Sequence, residues 1–128
     1  MKKFISKCII FIFFSFILAF VWENIIRQVP NTYKYKYDWM QKNAENVEII
    51  ILGSSHTFYG IRPDILSKRA FSLANVSQDI KHDKYLLEYW ANRYHRLKAV
   101  IFPISFSTWF GKGLEYGQES WRCKYYRI

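Results

Sequence analysis

Val47-Glu48-Ile49-Ile50-Ile51-Leu52-Gly53-Ser54-Ser55-His56 is the stretch on which the fold turns. An apolar run of this length, bounded by a glycine and small polar residues, reads as a strand buried on both faces of a sheet. The Gly53-Ser54-Ser55-His56 segment that follows reads as a tight turn into a helix. A serine there stands between a strand's carboxyl end and a helix's amino end, where backbone N–H groups point outward. That is a suitable place for a nucleophile and for the oxyanion it would create.

Two further strand candidates follow the first. Ala70 to Val76 is one, and Lys98 to Ile104 is the other, with Pro103 suited to its carboxyl end. Between them Ile80, Leu86, Leu87, Trp90, Tyr94 and Leu97 recur at helical spacing and predict a core-facing stripe. Ser77 is the expected cap of that helix, with Asp79 in its first turn. His56 to Gly60 and Pro63 to Lys68 read as short helical turns. Alternating strands and helices predict parallel βαβ units. In open sheets of this kind ligands bind beyond the carboxyl ends of the strands. Three small polar segments leave those ends: Gly53-Ser54-Ser55, Asn75-Val76-Ser77 and Ser105-Phe106-Ser107. One shared site is therefore expected.

Upstream, Phe4 to Trp22 holds Lys7 as its only charge. Its 19 residues make roughly 28 Å of helix at about 1.5 Å per residue, close to the hydrocarbon thickness of a bilayer. Lys2, Lys3 and Lys7 lie before the uncharged run Cys8 to Trp22 and place the amino terminus in the cytoplasm by the positive-inside rule. A cleaved signal peptide shares the basic start and apolar middle. The bulky Leu18-Ala19-Phe20-Val21-Trp22 exit favours an uncleaved anchor instead. The expected layout is a cytoplasmic start and anchor at 1–22, a connector at 23–46 with a break at Pro30-Asn31, and an α/β domain at 47–128. A short helix is expected over Tyr33 to Ala44.

The net charge is +9, from 19 basic and 10 acidic residues. Tyr33-Lys34-Tyr35-Lys36-Tyr37 interleaves aromatics with lysines, a pattern shared by single-stranded nucleic-acid sites and membrane-interface belts. Beside an anchor the second reading is preferred, with the lipid bilayer as partner and no nucleic acid. Cys8 and Cys123 are too far apart in character and position to suggest a disulfide, and neither has a zinc-ligand set nearby. No metal or organic cofactor is implied.

Leu52-Gly53-Ser54-Ser55 after an apolar strand resembles the first block of SGNH (GDSL-like) hydrolases. The longer Ile51 to Pro63 segment and Ala70 to Asp79 resemble a membrane-anchored bacterial branch of that superfamily. The resemblance covers roughly Val47 to Ser107. It implies the amino-terminal part of a parallel-sheet, three-layer α/β (SGNH or flavodoxin-like) domain outside the cytoplasmic membrane. It also implies serine esterase or O-acyltransferase chemistry on acylated cell-wall polymers or exopolysaccharides.

Carried over by position, Ser55 matches the nucleophile, Ser54 stands for the family's aspartate, and Asn75 lies where the family has a glycine oxyanion donor. The third block's asparagine has no counterpart in Pro103-Ile104-Ser105-Phe106-Ser107. The family's Asp-x-x-His near the chain end has none after Ser107. Asp79-Ile80-Lys81-His82 spells that motif, but at the start of the second crossover helix. His82 and His95 are expected on exposed helix surface. Trp109, Trp121, Tyr125 and Tyr126 would suit packing against further sheet elements. On this reading the chain is the first half of such an enzyme and inactive alone. The alternative is a non-catalytic, membrane-tethered interaction or assembly protein that keeps the fold.

Overall fold

A computed structural model describes residues 2–29, 31–111 and 113–126, with only the backbone of Lys2, Lys3, Ser107 and Trp109. Pro30 of the expected break lies outside the described residues, as do the side chains of Ser107 and Trp109. The chain divides into two units, Met1–Asn31 and Thr32–Ile128.

The first unit is helix α1, Lys2–Gln28. Within Phe4–Gln28 an 18-residue window reaches a mean hydropathy of 2.6, and the helix is long and apolar enough to cross a membrane. Its 27 residues span about 40 Å, so the helix runs past the expected end at Trp22. Glu23 and Arg27 pair one turn apart at 3.0 Å in this extension.

The second unit is a mixed α/β structure on a three-stranded parallel sheet. Its elements are α2 (Thr32–Asn43), β1 (Ile49–Ile51), α3 (Ser55–Gly60), α4 (Pro63–Leu66), β2 (Ala70–Ser72), α5 (Ile80–Trp90), β3 (Ala99–Ile101) and α6 (Phe106–Phe110). Short 3-10 segments lie at Ala44–Asn46, Ala91–Arg93, Leu114–Tyr116 and Ser120–Tyr126. The strand order is β2-β1-β3, with Ile50 opposite Phe71 on one side and Val100 on the other. Each strand lies inside its expected stretch but is three residues long.

Central position explains the composition of β1. Both its neighbours are strands and both its faces are covered, so Ile50 and Ile51 are fully buried although they point to opposite faces. Met40, Ala44, Val47, Ile50, Leu52, Leu73, Leu86 and Trp90 form one core cluster, completed by Leu114 and Tyr126. Within the expected stripe, Leu86 and Trp90 are buried, with Leu87, Tyr94 and Leu97 packed against them.

Helix α2 belongs to this core, so the compact unit begins at Thr32 and takes in much of the stretch expected to be connector. Its Met40 is fully buried, and Trp39 stacks on Phe71 of β2 with ring centroids 3.7 Å apart. Of residues 33–37, expected as an interfacial belt, Lys34 and Tyr35 are the exposed ones. Tyr33 and Tyr37 pack against the core, and Lys36 is buried with them. A 3.6-residue repeat puts 33, 36, 37 and 40 on one helix face, and Tyr125, Tyr126, Trp90 and the β2 exit at Ala74 pack against that face.

The chain end also packs inward. Tyr125 stacks on Tyr33 at 4.8 Å and Tyr126 is buried, while Trp121 is half exposed. Tyrosines 125 and 126 thus cover α2, an element already present, rather than awaiting further strands.

Candidate functional site

Beyond β1 the chain turns at Gly53. Gly53 has φ +120°, a backbone that favours glycine, and a Cβ there would lie 2.4 Å from Pro103 Cγ and 2.6 Å from Thr57 Oγ1. The glycine lets the exits of β1 and β3 approach each other, at the place where strand order reverses. Crevices at such reversals are where open α/β sheets bind ligands.

Ser54 is extended, and its carbonyl accepts the N–H groups of Thr57 (3.1 Å) and Phe58 (2.9 Å). Ser55 is the first residue of α3 and half-buried. Its own N–H and that of His56 precede the first intrahelical bond, so they are the unpaired donors of this helix start. His56 is exposed.

The three strand exits do converge. A cavity of about 270 Å³ is lined by Ser54 after β1, by Ser77, Gln78 and Asp79 after β2, and by Thr108 after β3. Gly113, Leu114, Gly117, Gln118 and Glu119 supply the remaining wall. Ser105, at the β3 exit, has its hydroxyl 2.7 Å from that of Thr108 and accepts the Thr108 N–H.

Beneath the turn lies a polar network that the residue pattern did not announce. Asp83 is 1 % exposed, and its Oδ1 accepts the Gly53 N–H at 2.8 Å and a Gln78 Nε2–H at 2.5 Å. Its Oδ2 has no partner among the described residues. Burial pushes the Asp83 carboxyl up, against the opposing hydrogen bonds from Gln78 and Gly53. The available clue was position: residue 83 lies three before Leu86 and seven before Trp90, inside the apolar stripe.

Asn75 is buried in the same network. Its Nδ2 donates to Leu73 O at 3.3 Å and Gln78 Oε1 at 3.2 Å, which uses both hydrogens. The side-chain amide thus holds the β2 exit, and the Asn75 backbone N–H, the group that corresponds to a glycine donor, donates to Gly53 O at 3.1 Å. Gln78 Oε1 also accepts the Tyr126 hydroxyl at 2.8 Å. Lys36 enters from α2, where its Nζ donates to Ala74 O and to Asn75 Oδ1 and lies 4.6 Å from the Phe58 ring centroid. Burial lowers this amine to about 7.

Asp79, not Ser77, caps α5. Its Oδ1 accepts the His82 N–H at 3.0 Å and lies 2.7 Å from His82 Nδ1, while Oδ2 accepts the Leu114 N–H at 2.7 Å. Ser77 cannot serve, because φ +60° turns it out of the extended cap conformation and its hydroxyl donates to Glu119. Burial alone would push the Asp79 carboxyl up. The three donors from His82 and Leu114 outweigh it and hold the group well below the usual carboxylate range.

His82 is thus mostly buried, at 11 % side-chain exposure, not on open helix surface, while His95 is exposed as expected. His82 lines a separate cavity from the one that Ser54 lines. No group of three or more His, Cys, Asp or Glu side chains suited to a metal occurs among the described residues.

No protein-family profile, curated protein or solved structure matches the chain. What is shown is a small parallel α/β unit with one convergent polar site, preceded by a helix long and apolar enough to cross a membrane.

Proposed function

We propose that this protein is a membrane-anchored, SGNH-like serine acyl-transfer protein, with Ser55 as the nucleophile. One observation carries the reading. Ser55 opens the helix leaving the central parallel strand, and the residue before it, Ser54, lines a cavity to which all three strand exits contribute hydroxyl groups. By the positive-inside rule Lys2, Lys3 and Lys7, in the first turns of α1, favour the second unit on the extracytoplasmic side of a bacterial inner membrane. The substrates in reach there are O-acyl groups on cell-envelope glycans.

In this reaction Ser55 Oγ attacks the acyl carbonyl carbon and forms a C–O bond, the ester's bond to the leaving glycan oxygen breaks, and the serine proton passes through solvent to that oxygen, leaving the acyl group on Ser55. The N–H groups of Ser55 and His56, which precede the first intrahelical bond of α3, are the donors this scheme would use for the oxyanion. Asp83 contributes by fixing the Gly53 N–H, and with it the turn that aims Ser55. No cofactor takes part in this scheme.

A second reading rests on its own observation. Among the described residues no histidine lines the cavity beside Ser54, and the Asn75 amide is fully engaged. Both facts favour a tethered interaction or assembly protein that keeps the fold without the chemistry. A fluorophosphonate probe on the full chain in detergent separates the two. Labelling that disappears in Ser55→Ala supports the acyl-transfer reading. Absence of labelling in wild-type protein with a cooperative tryptophan-fluorescence melt rejects it in favour of the tether.

A further inference from the structure

A larger cavity, of about 680 Å³, opens where the first turns of α5 meet the last 3-10 segment. His82 and Tyr85 line it from α5, and Cys123 and Tyr126 from Ser120–Tyr126. A 3-10 helix repeats every three residues, so Cys123 and Tyr126 project from one face. The Tyr126 ring lies 4.3 Å from the His82 ring, centroid to centroid. His82 therefore sits against the face that also carries the Cys123 thiol, and both side chains line the same space.

The imidazole is held from behind. Asp79 Oδ1 lies 2.7 Å from His82 Nδ1, and Asp79 is anchored in turn by the N–H groups of His82 and Leu114. With the neutral ring's proton drawn to Nδ1 by that carboxylate, Nε2 is left as a proton acceptor. Cys123 is half-buried and free. A carboxylate, an imidazole it orients and a free thiol are the parts nucleophilic thiol chemistry requires.

We propose that Asp79, His82 and Cys123 form a thiol-based acyl-accepting site, independent of Ser55, for activated esters or thioesters. His82 Nε2 takes the proton from Cys123 Sγ, and the thiolate adds to the acyl carbonyl carbon. A C–S bond forms as the carbonyl's bond to the leaving oxygen or sulfur breaks. The imidazolium then returns its proton to that leaving group, so the acyl group ends on Cys123 with no net oxidation.

The test uses the full chain in detergent with p-nitrophenyl acetate at pH 7, and acetylated residues are mapped by peptide mass spectrometry. Expected is one acetyl on Cys123, formed at least tenfold faster than on free N-acetylcysteine. His82→Gln should slow it on the order of a hundredfold, the usual reach of general-base assistance. Acetylation of wild-type Cys123 no faster than the free thiol overturns the proposal even if the variant does not fold. An unchanged rate in folded His82→Gln overturns it as well. Acetyl on Ser55 alone also rejects this site while supporting the Ser55 reading; acetyl on Cys123 at the expected rate supports it whatever Ser55 does.

Discussion

Burying Lys36 should leave a signature in how stability depends on pH. The amine is 7 % exposed and is lowered by burial from 10.5 to about 7. Between those two values the unfolded chain holds a proton that the folded chain does not, so stability rises with pH. Below about pH 7 the folded protein carries the full penalty of a buried ammonium. At roughly 1.36 kcal/mol per pH unit that penalty approaches 5 kcal/mol, an order-of-magnitude figure. From pH 7.5 to 9.5 the relief from this one group comes to about 2.5 kcal/mol.

Lys36→Met removes the titration. It also strips a donor from Ala74 O and Asn75 Oδ1, at a roughly pH-independent cost of about 1–3 kcal/mol. Urea unfolding of both proteins in detergent, followed by tryptophan fluorescence at half-unit steps of pH, gives two stability curves. Groups shared by both proteins cancel in the difference. That difference should widen by about 2.5 kcal/mol across the window, in favour of wild type at the alkaline end. Parallel curves would refute the reasoning, because they would mean that Lys36 keeps its solvent-exposed behaviour in the folded protein.

Other perturbations test separate parts of the structure. Gly53→Ala forces a Cβ into Pro103 and Thr57 at a positive φ, and should cost about 2–4 kcal/mol in urea unfolding while abolishing any Ser55 labelling. Asp83→Ala leaves the Gly53 N–H and the Gln78 amide unpaired and should cost about 1–3 kcal/mol. Asp83→Asn keeps an acceptor for Gly53 and should cost less. Because the folded Asp83 carboxyl sits above its unfolded value, wild-type stability should fall as pH rises through the range just above 3.8, and Asp83→Asn should flatten that limb. Asp79→Ala removes both the cap of α5 and the anchor of Leu114, and a loss of about 1–3 kcal/mol is expected in the same assay. Phe14→Arg with Leu18→Arg should shift the full chain from the carbonate-resistant membrane pellet to the supernatant, since each arginine adds about 2.5–3.5 kcal/mol to insertion.

How much of the site was legible depends on how far each signal travels along the chain. The turn at Gly53-Ser54-Ser55 is local: a strand must end, and only glycine suits the +120° turn against Pro103. The convergence of Ser54, Ser77 and Thr108 followed from parallel topology, which puts every strand exit at one end of the sheet. Lys36 and Asp83 were harder to read, since a lysine between tyrosines and an aspartate near a helix start both look solvated. Their burial comes from partners 38 and 30 residues away, Ala74 and Gly53. The exchange of Ser77 for Asp79 as cap is a finer case. Both residue types cap well, and the choice fell on the one whose backbone stayed extended.

By itself, then, the sequence determined the elements that rest on short-range physics. Apolar length sets the span of α1, the run of β-branched residues sets β1, and the glycine sets the turn that presents Ser55. Tertiary structure alone decided which polar groups are committed to holding that turn and which remain beside a cavity. It spent the Asn75 amide on Leu73 and Gln78, and placed Asp83 under Gly53. It also turned His82 toward the cavity that Cys123 lines, while its partner Asp79 stays in the wall of the one beside Ser54. The physical reason is that a hydrogen bond is settled by three-dimensional proximity and desolvation, and neither quantity is written in the spacing of residues along a chain.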